Sequence, residues 1–425
     1  MKNNLFKMTT ILLIGGILTK ILSMIIRITL SRLLGDNIGI YMMILPTFSL
    51  LISLTSLGLP TAISKLVSED TKNNKNLVFS IIPITLLFDI LIIIIVILLS
   101  DFISLKLLHN IDYKYSIIAM SLVLPFIDIS SIMRGYFFGK QKMIPHIVSN
   151  IIEDIVRFLL IIIGIPYFLN KSINITLIYI ILINIVSELS SILTLLIFLP
   201  KNITLNKKDF KINYKNIYDT FKIGIPTTLS RLIGNVGYFL EPIILTNVLI
   251  NNGYTNSFIT HEYGIINGYV MPILLLPSFF TYAISSALLP IISKEYISGK
   301  NVYKRLNQAI FYSLVIGILF TTFIIIKPDM LLKILYNTSL GTSYIRFLSI
   351  FFLLHYIQAP LTTTLQAINL SNKAFLGTLL GTIFRIITIF ILSHFKIGIY
   401  PIIIASIINI LIVTIHHIVV IRKHL

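Results

Sequence analysis

Apolar runs of roughly 18 residues or more, long enough to cross a bilayer as helix, recur from one end of this 425-residue sequence to the other. In hydrocarbon only helices and closed barrels satisfy their own backbone groups. A barrel would show short strands of alternating polarity, which are not seen. The chain therefore reads as an all-α polytopic membrane protein. Its composition agrees: 56% of residues are hydrophobic and 12% charged, with a mean hydropathy of +0.94. That is too little polar surface for a soluble chain of this size. About 12 spans are predicted, near 8–31, 38–63, 77–100, 114–137, 145–169, 174–199, 218–249, 262–292, 305–326, 343–368, 374–394 and 398–421. The first is too long, and carries too many internal cations, to be a cleaved signal peptide.

The formal net charge is +18, from 34 Lys and Arg. Of these, 21 fall in one alternating set of loops, 8 in the other, and 5 within spans. Such asymmetry marks the richer set as cytoplasmic. Both termini and the polar connection 200–220 belong to it. The charge thus reflects topology, and no nucleic-acid partner is predicted, because no basic face of a soluble domain exists. With no cysteine, disulfides, thiolate metal sites and Cys nucleophiles are excluded. No Walker A motif is present. "HEYG" at 261–264 lacks a second His, and the adjacent histidines of "TIHHIV" at 414–419 point to different helix faces. No metal site is expected, and the loops are too short to build a soluble catalytic domain, so the chain is not read as an enzyme.

The two halves echo each other. "LPTAISK" (59–65) closes the second span and "LPIISK" (289–294) the eighth, with the shared Ile-Ser-Lys 229 positions apart. A spacing of 228 superposes Arg157 of span five on Arg385 of span eleven. Two near-identical spacings argue for duplication. Six spans per half is an even number, which predicts parallel repeats: an N-terminal six-helix lobe at 1–205 and a C-terminal one at 206–425. Repeats of this kind place a transport path between them.

A charge in the bilayer centre is costly unless it faces protein or water. In span one, Gly16, Lys20, Ser23, Arg27 and Ser31 fall within about 80° of one helical face. In span five, His146, Asn150, Glu153, Asp154 and Arg157 share a face. Glu153 and Arg157 form an i,i+4 pair, which leaves Asp154 over. Span seven carries Arg231, Asn235 and Tyr238 on one stripe, with Glu241 off it, and span eleven carries Arg385. Spans three, four and six add Asp89, Asp128 and Glu188. Glu153 and Asp128 are the acids expected in structural ion pairs. Lys20, Arg27, Arg157, Arg231 and Arg385 are the candidates for a cationic cavity suited to a diphosphate, since guanidinium forks match phosphate oxygens and Lys adds a point charge. The six acids outnumber these five cations, so this reading requires that several acids pair locally or face away. Pro226 and Pro242 in span seven, and Pro272 and Pro277 in span eight, are candidates for hinges, with static kinks as the alternative.

Three stretches carry a family resemblance: "RITLSRLLGDNIGIYMMILPTFSLLISLTSLGLPTAISKLVSE" (27–69), "RGYFFGKQKMIPHIVSNIIEDIVRF" (134–158) and "LPSFFTYAISSALLPIISK" (276–294). They resemble the polysaccharide-flippase branch of the MATE-like (multidrug/oligosaccharidyl-lipid/polysaccharide) exporter superfamily, in the right order along most of the chain. The resemblance implies a V-shaped bundle working by alternating access. It also implies, as cargo, an undecaprenyl-diphosphate-linked sugar precursor for peptidoglycan, spore cortex or another polysaccharide, moved to the outer leaflet of the cell membrane of a Gram-positive spore former. Arginines of spans one and seven line the cavity of the related lipid II flippases, and Arg27 and Arg231 match in kind and span, with Lys20 beside them. Several relatives couple to Na+, H+ or the membrane potential through an acid of span seven, for which Glu241 is the candidate here; Asp154 and Glu188 are the other coupling candidates. Members of the branch commonly have fourteen spans, and the extra pair helps hold the lipid tail. Twelve spans leave the tail-binding mode open and keep two other readings in play, a cation-coupled multidrug exporter and a non-transporting partner of cell-wall synthases.

Overall fold

The structure, a computed structural model, describes residues 2–69, 74–199 and 213–425, with side chains from residue 14 onward apart from those of 74 and 230. Most of the polar central connection lies outside the described residues. The helices are α1 (Lys2–Leu34), α2 (Ile38–Thr55), α3 (Leu59–Glu69), α4 (Asn74–Asp101), α5 (Tyr113–Gly139), α6 (Met143–Leu169), α7 (Ile173–Ile197) and α8 (Tyr214–Asn251). They continue with α9 (Asn256–Gly264), α10 (Met271–Leu274), α11 (Ser278–Ile297), α12 (Tyr303–Ile326), α13 (Pro328–Tyr336), α14 (Thr342–Ala367), α15 (Ser371–Ser393) and α16 (Tyr400–His424). A 3-10 turn at Gly35–Asn37 and short π-helical turns at Phe102–Leu107 and Ile265–Val270 complete the described secondary structure, which contains no strand.

Nine helical stretches among the described residues are long and apolar enough to cross a membrane, or ten if the bent pair Asn256–Leu274 and Ser278–Ile297 is one span. Two features separate this number from twelve. Ile14–Glu69 runs as a single 56-residue stretch, far longer than the roughly 20 residues one crossing needs. Helix α6 carries Glu153, Asp154 and Arg157 in its middle, which lowers its apolarity without shortening it. The outward faces are those of a membrane protein: Leu98, Ile163 and Ile197 are 75%, 71% and 82% exposed, and only lipid covers such surface without penalty.

Contacts divide the chain into two compact units, Met1–Leu34 with Ile44–Phe239, and Gly35–Met43 with Leu240–Leu425. Within the first, α5 is central: α3, α4, α6 and α7 pack against it, while α1 packs on α6 and α6 on α7. Within the second, α14 holds the same place against α11, α12, α15 and α16, and α15 packs on α16. The starts of α4, α5, α6 and α7 precede those of α12, α14, α15 and α16 by 229, 229, 228 and 227 positions. Helix order and neighbours thus repeat with the period read from the sequence motifs.

Small residues set the close contacts, as expected where lipid removes the hydrophobic drive between helices. Gly135 and Gly139 of α5 lie against the Pro60 and Ser64 carbonyls of α3, where a Cβ would approach to 2.8 and 2.6 Å. Gly377 and Gly381 do the same for α15 on α16. The second predicted span breaks at residues 56–58. There Gly58 takes a φ of +62°, and a Cβ on it would lie 2.5 Å from the Gly224 carbonyl of α8; only glycine combines that conformation with that approach. Buried hydroxyls are satisfied within their own helices: Thr85 donates to the Ile81 carbonyl (3.0 Å), Thr364 to Pro360 (2.8 Å) and Ser406 to Ile402 (2.8 Å). Such back-bonding removes the cost of a polar group in an apolar bundle.

Candidate functional site

The first unit holds a buried network of charges. Helices α5, α6 and α7 meet around Glu153, which accepts hydrogen bonds from both Arg134 and Arg157. Arg134 also reaches Glu188 at 3.4 Å and donates to Ser191 Oγ at 2.8 Å. Ser130 donates to the same Glu188 oxygen at 2.5 Å. Arg157 reaches Asp154 at 3.4 Å and Ser187 at 3.5 Å, and Ser23 of α1 donates to Asp154 at 3.5 Å. The side chains of Glu153 and Glu188 are 9% and 7% exposed, so these are contacts made in low dielectric.

Three sequence expectations change here. Arg134, one of the 21 cations assigned to the cytoplasmic loops although the predicted span 114–137 takes it in, lies within α5 and is one of the two cations of the network; the helix runs to Gly139. Asp154, expected to be left over, is engaged by Arg157 and Ser23. Asp128, expected in an ion pair, has no cation partner among the described residues. It faces Asp89 of α4, with Thr55 and Glu188 as its other polar neighbours. Packing explains this: α4 and α5 meet along an apolar face on which Ile81, Thr85, Asp89 and Val96 are buried, and no basic residue of either helix falls on it.

In the second unit Glu241 of α8 and Arg385 of α15 form an ion pair at 2.7 Å. Glu241 is 2% exposed and the Arg385 side chain 26%; the Tyr263 hydroxyl faces the same carboxylate. The two were nominated separately, one as a coupling acid and one as a cavity cation, and the fold brings them together. Arg157 and Arg385, the pair related by the repeat, are thus each held by an acid of their own unit.

Lys20, Arg27 and Arg231 all belong to the first unit. Helix α1 packs on α6 through Gly15, which meets Ile147, and through Ser23. Lys20 and Arg27 lie about 40–60° around the helix from Ser23 and about 120–140° from Gly15. Lys20 is exposed and Arg27 half-buried, and next to them nothing lies within 4 Å of a Cβ built on Gly16. On α8, Gly224, Thr228, Arg231 and Asn235 form one stripe. Gly224 meets the 56–58 break and Asn235 donates to Ser53, while Arg231 between them is exposed.

The prolines fall in two groups. Pro226 and Pro242 lie inside α8, which runs unbroken for 38 residues. Pro272 opens α10 and Pro277 stands in the break before α11, where the axis bends by 50°. Tyr356 of α14 donates to the Leu274 carbonyl at this break (2.8 Å), supplying the partner that the interrupted helix cannot.

A bundle of apolar helices with buried charge networks and no soluble domain among its described residues is a multi-pass membrane protein of the transporter type. The chain belongs to the polysaccharide biosynthesis protein family, whose model matches residues 5–296. It is 34% identical to stage V sporulation protein B of Bacillus subtilis (strain 168), over 99% of this chain and 84% of that one. It is 24% identical to the lipid II flippase MurJ of the same organism, over 73% of this chain and 61% of that one. Among solved structures, an inward closed lipid II flippase MurJ superposes with a TM-score of 0.73 at 17% identity, covering 97% of this chain and 87% of that one. An inward-facing multidrug resistance MATE family transporter superposes with a TM-score of 0.70 at 15% identity, covering 95% and 94%. At those identities the structures speak for the fold.

Proposed function

We propose that the protein is a flippase that carries an undecaprenyl-diphosphate-linked sugar precursor, destined for peptidoglycan, spore cortex or another polysaccharide, to the outer leaflet by alternating access. On this reading the chain makes twelve crossings, counting Ile14–Glu69 as two and including α6 and the bent pair, in two six-helix lobes with both termini in the cytoplasm. The observation that carries the reading is how the acids are engaged. Glu153, Asp154 and Glu188 are taken up by Arg134, Arg157 and nearby serines, Glu241 by Arg385, and Asp89 and Asp128 face each other. Acids engaged in this way leave little surplus negative charge for a cationic cargo, which favours the anionic lipid over a cationic drug.

Those three cations then form the diphosphate site, with the guanidiniums gripping phosphate oxygens and Lys20 adding charge. Arg157 and Arg385, also nominated from the sequence, act instead as supports of the bundle. The prolines at the α10–α11 break provide the hinge. The relative named as a lipid II flippase supports a lipid-linked cargo, and the one named as a sporulation protein supports a role in the spore.

The test is translocation of a fluorescent undecaprenyl-diphosphate sugar by full-length protein in proteoliposomes, paired with depletion in cells. Protein-dependent flipping that Arg27→Ala and Arg231→Ala each reduce at least tenfold, and accumulation of the inner-leaflet precursor on depletion, are expected. Flipping that is insensitive to both changes refutes the reading.

A further inference from the structure

The Asp89–Asp128 pair takes no part in the ion-pair networks. Both residues have zero exposure, and none of their four carboxylate oxygens has a hydrogen-bond donor among the described residues. The Thr55 hydroxyl lies beside Asp128 and is the one neutral donor placed to reach it; it also lies 3.5 Å from the Ile52 carbonyl. Two carboxylates are acceptors only, so as ions they repel across a dry interface with no cation, and at most the Thr55 hydroxyl, to offset the charge. With one proton between them the conflict vanishes: the protonated acid donates to its neighbour, and the pair carries a single negative charge instead of two.

The other charged groups of the surrounding elements are committed elsewhere. Glu188 of α7 faces Asp128 but is held by Ser130 and Arg134. Glu153, Asp154 and Arg157 of α6 are bonded among themselves and to Arg134. Lys65 and Glu69 of α3 pair with each other at its exposed end. Asp101 of α4 pairs with Lys114 of α5, and Lys75 and Lys106 stand at opposite ends of the α4 segment, more than three helical turns from Asp89. Among the described residues no cluster of three or more His, Cys, Asp or Glu side chains forms.

We propose that Asp89 and Asp128 share one proton and that this pair is the site at which the transporter binds and releases a coupling proton. The proposal builds on the transporter reading and names its ion and its place, in the first unit and away from the Glu241 candidate. Loss of the shared proton creates two adjacent buried anions between α4 and α5. The helices then separate or admit water, which ties proton occupancy to the spacing of two helices in the unit that also contains Lys20, Arg27 and Arg231.

Infrared difference spectroscopy of the full-length protein in lipid tests the proton directly. A protonated-carboxyl C=O band at pH 7 is expected, with removal in Asp89→Asn/Asp128→Asn. Translocation of the fluorescent undecaprenyl-diphosphate sugar tests coupling. One pH unit across the membrane drives one proton by a factor of about ten, so leaflet ratios up to about tenfold are expected in the wild type. A ratio near one is expected in Asp128→Asn and in Asp89→Asn, where the amide mimics a pair that never loses its proton. Asn is isosteric with protonated Asp, and if one variant fails to fold the other carries the test. A band that survives the double change, or a gradient response that survives both single changes, overturns the proposal. A wild type that shows the band but moves no lipid supports the proton pair and refutes the flippase reading alone.

Discussion

Replacing Glu241 by Gln and Arg385 by Met, singly and together, tests how the second unit handles its buried charges. At the 2.7 Å separation of the pair and an effective dielectric constant near 20, the attraction is about 6 kcal/mol. Much of this is offset by removing both ions from water. The net value of the pair is therefore small, while the cost of breaking it is large. Glu241 is 2% exposed, so Arg385→Met strands an acid with no solvent and should destabilise by about 3–5 kcal/mol. Arg385 is 26% exposed and regains some hydration, so Glu241→Gln should cost about 3 kcal/mol. The double variant removes both charges and should fall within about 1 kcal/mol of the wild type, leaving the singles non-additive by more than 2 kcal/mol. Equilibrium unfolding of the purified protein in mixed micelles, titrated with SDS, reads all four species. Additive losses in the double variant refute the pairing. The same variants separate two roles for Glu241: an acid that binds a transported cation would make stability depend on sodium or pH, whereas an acid neutralised by Arg385 gives a stability indifferent to sodium.

Glycine positions give predictions of opposite sign. Gly139→Val puts a side chain 2.6 Å from the Ser64 carbonyl and should cost about 1–3 kcal/mol or more in the same titration, whereas Gly16→Ala meets open space and should gain about 0.5–1 kcal/mol from helix propensity. Tyr356→Phe leaves the Leu274 carbonyl at the α10–α11 break without its 2.8 Å donor and should destabilise by about 1–2 kcal/mol, seen as faster amide hydrogen exchange confined to 271–278. Arg134→Ala removes one of two cations from three buried acids and should lower folded yield, assayed by size-exclusion chromatography. Lys20→Ala should leave that yield intact and slow lipid translocation.

Much of the fold was legible because its causes are local. Apolar run length defines helices wherever lipid is the solvent, and the 229 and 228 spacings of the Ile-Ser-Lys and Arg matches reappear as the offsets between α4–α7 and their counterparts. Breaks were less legible: the 56–58 kink depends on Gly224, which lies 166 positions from Gly58. Pairing was legible only within one helix. Glu153 with Arg157 follows from i,i+4 geometry, but the second partner of Glu153 is on another helix, and Glu241 meets Arg385 across 144 positions. Arg134 was misread because "RGYFFGKQK" looks like a loop. Its signal was the Ser130–Arg134 spacing of four beside Gly135, a polar stripe continuing along the face that packs on neighbouring helices.

Arg157 and Arg385 also bear on how a duplicated bundle can recognise an anion. They are equivalent by the repeat, and in both units the guanidinium is held by an acid rather than left to a ligand. A symmetric pair of arginines would have offered a diphosphate two like sites, one per unit, with no direction to the path. The other three nominated cations, Lys20, Arg27 and Arg231, all belong to the first unit. A charged headgroup would then be gripped from one side, by a unit that also carries the carboxyl pair proposed to bind the proton. Proton occupancy and headgroup affinity would be linked within one set of helices, through the spacing of α4 and α5, and recognition would need no signal carried from the other unit. The expected signature is reciprocal: lowering the pH should tighten binding of undecaprenyl diphosphate by the same factor by which undecaprenyl diphosphate promotes proton uptake, and Asp128→Asn should abolish both together. Unequal factors, or loss of one effect without the other, would refute linkage within the first unit.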